Sequence, residues 1–252
     1  MTVPEFRVIG ITGVPEVRPG DNLTSLLTQA AQKQSTPLLD DDILVITQKI
    51  VSKAEGNLVK LSDITPSEFA RQFGERHKRD PRQIEVVLRE SKRIVKMDRG
   101  VLITETHHGF ICAGAGVDAS NIKDNDTVST LPKDPDSSAR KIQEAIHQTL
   151  GIVVPVVITD TFGRPWREGL TEVAIGISGL LPLKDYRGAT DSYGQQLQVT
   201  ITAVADELAA CAGLVSNKTD NIPAAIIRGY PYESGDGSFR DLLRDPNLDL
   251  FR

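Results

Sequence analysis

The chain has 252 residues, 39% hydrophobic and 25% charged, the balance of a globular protein able to bury a large core in one domain of two lobes or in two closely joined domains. Its net charge of -5 gives duplex nucleic acid no overall attraction, although a local basic site for phosphates stays open. Cys112 and Cys211 lie in the apolar contexts ICAGAG and AACAGL and read as packed thiols; with no charged-then-apolar leader after Met1 and no apolar run of about 18 residues, a cytoplasmic protein with no membrane partner is expected.

In chain order, RPGDNL leads into a helix from Leu23 to about Gln34, with Leu26, Leu27, Ala30 and Ala31 on one face and Asp21 or Asn22 as cap. ILVIT, Ile43 to Thr47, reads as a short buried strand. Thr65-Pro66-Ser67-Glu68 and Asp80-Pro81-Arg82-Gln83 have capping-box spacing with proline at the first helical position, so each predicts a helix start. After Arg93 the runs RIVKM, GVLIT and GFICAGAG, separated by charged or glycine turns, predict a strand-rich middle.

A helix from Asp136 carries Ala139, Ile142, Ala145, Ile146 and Leu150 at helical spacing and stops at Gly151. IVVPVVIT predicts a buried strand ending in Asp160, AIGISGLL another, QLQVTITAVADELAACAGLV a strand turning to helix, and AAIIRG a last strand. The expected class is mixed α/β (α+β), without internal repeats and without the strict alternation of a doubly wound sheet.

Familiar chemistry is absent. No G-x-x-x-x-G-K followed by Ser or Thr occurs, which excludes a P-loop. Gly114 to Ala119 matches G-x-G-x-x-A, but SNIKDNDTV after it is no helix, so the Rossmann fingerprint lacks its context. His77 and His147 fall in predicted helices and the neighbours His107 and His108 face opposite ways on a strand, so the histidines make no metal site. No nucleophile elbow is present, and neither cysteine has an activating partner.

What stands out is three small, polar, acidic stretches placed at strand ends: GAGVDASN, TDTFGRPWREG and VITQKIVSKAEG. Asp118 and Asp160, with the Thr161 hydroxyl, make a hard oxygen set suited to Mg²⁺ or Mn²⁺ bridging nucleotide phosphates, although an aspartate can equally stabilise its own turn. Gly13, Gly114 and Gly116 would let the backbone approach a phosphate, and turn geometry alone also accounts for them. Lys53 is a candidate phosphate partner because its ammonium can follow charge between phosphoryl groups.

Taken together and in order, ITGVPEVRPGDNL, VITQKIVSKAEG, GAGVDASN, LPKDPDSSA, VVITDTFGRPWREG, AIGISG, SYGQQLQVT, VADELAA and IPAAIIRG resemble the coenzyme F420-0:L-glutamate ligase (gamma-glutamyl ligase) family, from about Val8 to about Phe251. The resemblance implies one unit spanning residues 1–252, a family-specific α/β fold of two intertwined lobes, and a homodimer with its site at the junction. It also implies GTP as co-substrate, Mn²⁺ or Mg²⁺, stimulation by K⁺, and successive gamma-linked glutamate additions to the F420 precursor through an acyl phosphate. Position by position, Asp118, Asp160 and Thr161 match the metal positions, and Val14, Pro15, Glu16, Gln48, Lys53 and Asn121 match positions contacting the guanine nucleotide. In the late loop SNKTDN, where family members vary, Lys218 is the nucleotide candidate. Lys53, Asp118 and Asp160 would carry catalysis. Arg164 and Trp166 are candidates for acceptor contact. Two other functions fit the same motifs: glutamylation of another acceptor such as a folate-like metabolite, or a non-catalytic GTP and metal sensor, which would be expected to have lost a metal carboxylate.

Overall fold

The computed structural model describes residues 3–120, 124–217 and 219–249. Strand β1 (Arg7–Gly10) is followed by α1 (Leu23–Lys33), whose start is fixed by Asn22: its side chain accepts the Ser25 N–H at 2.9 Å, satisfying one of the first-turn donors that no carbonyl reaches. Leu23, Leu27, Ala30 and Ala31 are its buried stripe, and Leu26 is half-buried. Strand β2 (Ile43–Thr47) passes with no linker into α2 (Gln48–Glu55), which ends at Gly56 in the left-handed region, φ 75°.

After β3 (Leu58–Lys60), helix α3 (Glu68–His77) begins later than the Thr65 box predicts. Ser67 is the cap, accepting the Ala70 N–H at 3.3 Å, and Pro66 stands outside the helix. Helix α4 (Pro81–Arg89) has the expected start, with Asp80 accepting the Arg82 N–H at 2.8 Å and Pro81 in the first helical position. The apolar runs of the middle become β4 (Ser91–Asp98), β5 (Val101–Thr106) and β6 (Ile111–Ala113), an antiparallel sheet in that order.

Strand β7 (Thr127–Ser129) pairs with β3, and α5 (Pro135–Leu150) is capped by Asp134 and closed by Gly151. Strands β8 (Val156–Arg164) and β9 (Arg167–Ser178) then form a long antiparallel hairpin. Asp160 is therefore not a strand end: β8 continues to Arg164, with Thr161 opposite Glu172 across the hairpin. The short pair β10 (Lys184–Asp185) and β11 (Ile201–Thr202) precedes α6 (Val204–Ser216) and β12 (Ala224–Arg228).

The central sheet has the order β1-β12-β2-β8-β9, with β2 and β8 parallel and the other pairs antiparallel. Ile43–Ile46, Val156–Ile158 and Ala224–Ile227 are buried residue after residue, so both faces are covered; helices α1, α5 and α6 supply cover. This is why these strands read as unbroken apolar runs and not as alternation. Each fully buried Ile or Leu contributes roughly 1.5–3 kcal/mol by leaving water. On β9, a Cβ added at Gly176 would lie 2.6 Å from the Pro135 backbone, so α5 meets the sheet in a contact only glycine admits.

Two smaller clusters lie apart from this core. Ala70, Phe73, Ile84, Val87, Leu102 and Ala115 join α3 and α4 to the β4-β5-β6 sheet, while Leu61, Val86 and Val128 tie α4 to the β3-β7 pair. The class is mixed α/β with several open sheets, as expected, and it is not doubly wound. Cys112 and Cys211 are free thiols. Among the described residues, no helix is long and apolar enough to cross a membrane.

Candidate active site

The parallel register of β2 and β8 sets Thr47 beside Thr159, so the start of α2 at Gln48 lies next to Asp160, where β8 runs on beyond the end of β2. Gln48 is 1% exposed; its side chain accepts the Ser52 hydroxyl at 2.9 Å, and it lines the cleft together with Asp160. From the same helix, Lys49 Nζ lies 2.7 Å from Asp118 Oδ2 and donates to Ser120 Oγ at 2.6 Å. Lys53, its side chain 9% exposed, donates to Glu16 Oε1 at 2.6 Å. Two ammonium groups on one short helix therefore meet acids from two different loops.

Asp118 follows the turn Gly114–Gly116 and is held on both sides by Ser129: Asp118 N donates to Ser129 O at 3.0 Å, and Ser129 N donates back at 2.8 Å. Its Oδ1 accepts the Ser120 N–H at 2.6 Å. Burial pushes the Asp118 carboxyl up, but the Lys49 ammonium and the Ser120 N–H outweigh it and hold the group below its ordinary value.

Asp160 goes the other way. Burial pushes it up to about 7; the Thr161 N–H and Gln48 oppose the shift, and the carboxylates of Glu172 and Asp118 reinforce it. The Thr161 hydroxyl donates to Glu172 Oε1 at 2.6 Å across the hairpin. Cys112, at the same wall, has its thiol pushed up to about 12 by burial and by Asp160, which leaves no thiolate for nucleophilic chemistry.

These groups face one cleft of about 950 Å³, at the upper end of small-ligand sites and roomy enough for a nucleotide with a second substrate beside it. Among the described residues no three His, Cys, Asp or Glu side chains converge on one point, so a closed structural metal centre is not built here. The donor set fits a divalent cation of the open kind: two carboxylates and a hydroxyl lining one cleft, with the remaining positions left to substrate oxygens and water. Burial does most to raise Asp160, and the carboxylates of Glu172 and Asp118 add to it; a bound cation would offset both by favouring the charged form.

Of the residues singled out in the sequence, Val14, Pro15, Glu16, Gln48, Lys53, Asp118, Asp160 and Thr161 all line this cleft. Asn121 and Lys218 lie outside the described residues. Gly13, φ 70°, has open space where a Cβ would stand, whereas Gly116, φ 69°, is needed for packing: a Cβ there would meet Leu131 at 2.7 Å. Arg164 and Trp166 are not in the wall; Trp166 is 78% exposed at the hairpin tip, and the cleft takes Phe162, Gly163 and Leu170 from that hairpin. His107 and His108 bond backbone carbonyls, of Arg89 and Pro132, and stand apart from the site. Sequence reading missed Lys49, Ser120 and Glu172. Lys49 was within reach, since a lysine two residues past a strand that turns directly into a helix lies in the first helical turn, close to the strand end.

Comparison with known proteins agrees with this geometry in extent. Residues 12–229 match the model of the family described as F420-0:Gamma-glutamyl ligase. The chain is 46% identical over 250 residues to the coenzyme F420:L-glutamate ligase of Methanothermobacter thermautotrophicus, covering 98% of this chain and 99% of that one. It is 43% identical over 255 residues to the protein of the same name from Methanopyrus kandleri, with 99% of each covered, and 41% identical over 255 residues to that of Methanocaldococcus jannaschii, again with 99% of each covered. Likeness at this level along nearly the whole chain, with the cleft inside the matched region, leaves one assignment: the chain belongs to the F420-0:gamma-glutamyl ligase family.

Proposed function

We propose that this protein is a GTP- and divalent-metal-dependent ligase that adds L-glutamate to the F420 precursor F420-0, with further gamma-linked additions, and releases GDP and phosphate. The observation that carries the reading is the gathering of Asp118, Asp160, Thr161, Lys49 and Lys53, from three separate chain segments, on one cleft. A carboxylate condenses with an amine only after one of its oxygens becomes a leaving group. In the first step the acceptor carboxylate attacks the γ-phosphorus of GTP, the bond to the bridging oxygen breaks, and GDP leaves. In the second, the glutamate amine attacks the acyl carbon, phosphate leaves with one former carboxylate oxygen, and the ammonium proton passes to solvent.

Asp118, Asp160 and Thr161 would hold the cation, which supplies neutralisation of phosphate oxygens as charge shifts between them. Lys53 and Lys49, anchored by Glu16 and Asp118, add fixed positive charge over the phosphate path, and Gln48 favours the charged form of Asp160. Val14, Pro15 and Glu16 form the wall assigned to the guanine side. Stimulation by K⁺, assembly as a homodimer and action in the cytoplasm belong to the same reading, the dimer supported by apolar side chains standing in solvent at Leu170, Tyr193 and Val199.

Purified protein with GTP, Mn²⁺, glutamate and either the F420 precursor or a folate, read by mass, tests the proposal. Added glutamate on the F420 precursor is expected, with one heavy-oxygen label from the acceptor carboxylate appearing in phosphate. Glutamate on the folate alone would replace the acceptor, nucleotide binding without either product would mark a sensor, and amide formation with no label in phosphate would overturn the acyl-phosphate route.

A further inference from the structure

Among the described residues, Glu172 is the one acid lining the cleft that neither the motifs nor the ligand assignment uses. It stands on β9 directly opposite Thr161, and its Oε1 takes the Thr161 hydroxyl at 2.6 Å. Its stem is pinned from the far side by α6: a Cβ added at Gly213 would come within 2.8 Å of Glu172 Cγ, so the helix packs against the side chain at a distance only glycine permits.

A threonine hydroxyl can donate or accept and rotates to suit its surroundings, whereas a carboxylate only accepts. Facing Glu172, the Thr161 O–H has its proton committed to the carboxylate, so toward any other partner the oxygen acts as an acceptor. We propose that Glu172 is a positioning residue that presents Thr161 to the cation as an oxygen donor; this rests on the reading of Asp118, Asp160 and Thr161 as the cation's ligands. A further feature agrees: the carboxylate makes the threonine oxygen more basic, as outer partners do for metal-bound side chains.

The test is direct titration of Mn²⁺ binding to the purified protein without nucleotide, for wild type, Glu172→Ala, Glu172→Gln, Thr161→Val and the double variant Thr161→Val with Glu172→Ala. Thermal melts of each variant identify any that fail to fold, and Glu172→Gln keeps the side-chain volume against Gly213. Glu172→Ala is expected to weaken Mn²⁺ by about tenfold or more. Glu172→Gln, whose amide oxygen still accepts from Thr161, should recover most of that loss. The double variant should bind no more weakly than Thr161→Val within about twofold, because the effect travels through Thr161. Wild-type affinity in Glu172→Ala overturns the proposal, as does a Glu172→Ala loss that multiplies in full onto Thr161→Val. A wild type that binds no Mn²⁺ overturns the cation assignment and the proposal with it, a result distinct from a binding wild type whose Glu172→Ala variant is unaffected.

Discussion

Gly116 sits two residues before Asp118 on the cleft wall, and replacing it by alanine perturbs the site without altering any side chain assigned to the cation. Its φ of 69° lies in the left-handed region, where a Cβ costs an L-residue about 1–2 kcal/mol. The new methyl would also stand 2.7 Å from both Cγ and Cδ2 of Leu131, which is 2% exposed and has no room to retreat, adding about 1–3 kcal/mol of overpacking. Together these amount to about 3 kcal/mol, or roughly 6–12 °C in Tm at this chain length. The strain is relieved most readily by moving the turn Gly114–Gly116, which carries Asp118 away from Asp160. Gly116→Ala should therefore lose Mn²⁺ affinity and ligase turnover by more than its fall in Tm explains at a temperature where it remains folded. Combined with Leu131→Ala, which opens space, its added cost should shrink to the backbone part alone. Denaturation with Mn²⁺ titration on the single and double variants checks both statements. A Gly116→Ala protein with wild-type Tm and wild-type Mn²⁺ affinity would refute the reasoning.

Asp118→Asn and Asp160→Asn should each abolish turnover while leaving the circular dichroism spectrum unchanged; unaltered ligase rates in both would remove the cation assignment. Because the Asp160 carboxyl is raised from its ordinary 3.8 to about 7, its contribution to folded-state stability is fully present below the lower value and is lost as pH rises through the upper one. In chelator-treated protein, Tm relative to Asp160→Asn should fall across that window, and added Mn²⁺ should reverse the fall at pH values above it; a flat difference in Tm contradicts the shift. GTP should support ligation much better than ATP at matched concentrations, and equal rates would remove guanine recognition from the account. Arg228 holds Asp42, whose side chain is 2% exposed, through bonds of 2.8 and 2.7 Å, so Arg228→Met should cost about 3–5 kcal/mol by urea denaturation, with much of it regained when Asp42 becomes Asn.

Strands buried on both faces were legible in the sequence because burial leaves no polar position to confuse the pattern, as in Ile43–Thr47 and Ala224–Arg228. Chain reversals fixed by one residue were legible too, as with Asp80 and Pro81 at the start of α4 and Gly151 at the end of α5. The end of β8 was misplaced because beyond Asp160 the strand is Thr-Phe-Gly-Arg, held by pairing with β9 and not by an apolar run. The first box at Thr65 failed since Ser67 offers an equally good oxygen nearer the helix. Within the cleft, the motif residues could be seen as local stretches. Glu172 could not, because its meaning comes from a cross-strand partner eleven positions away, and linear patterning carries no register.

The absence of any linker between Thr47 and Gln48 bears on how this enzyme can diverge. Where a loop joins two elements, insertions and deletions are absorbed and specificity drifts freely. Here one added residue would turn every side chain of α2 by about 100° about its axis. Gln48, Lys49 and Lys53 would leave the cleft together, so the junction admits changes of residue type but not of length. Variation in the reacting partner is then confined to segments that can grow, such as the tip of the β8-β9 hairpin and the stretch between β10 and β11, while the α2 side of the cleft is inherited as a block.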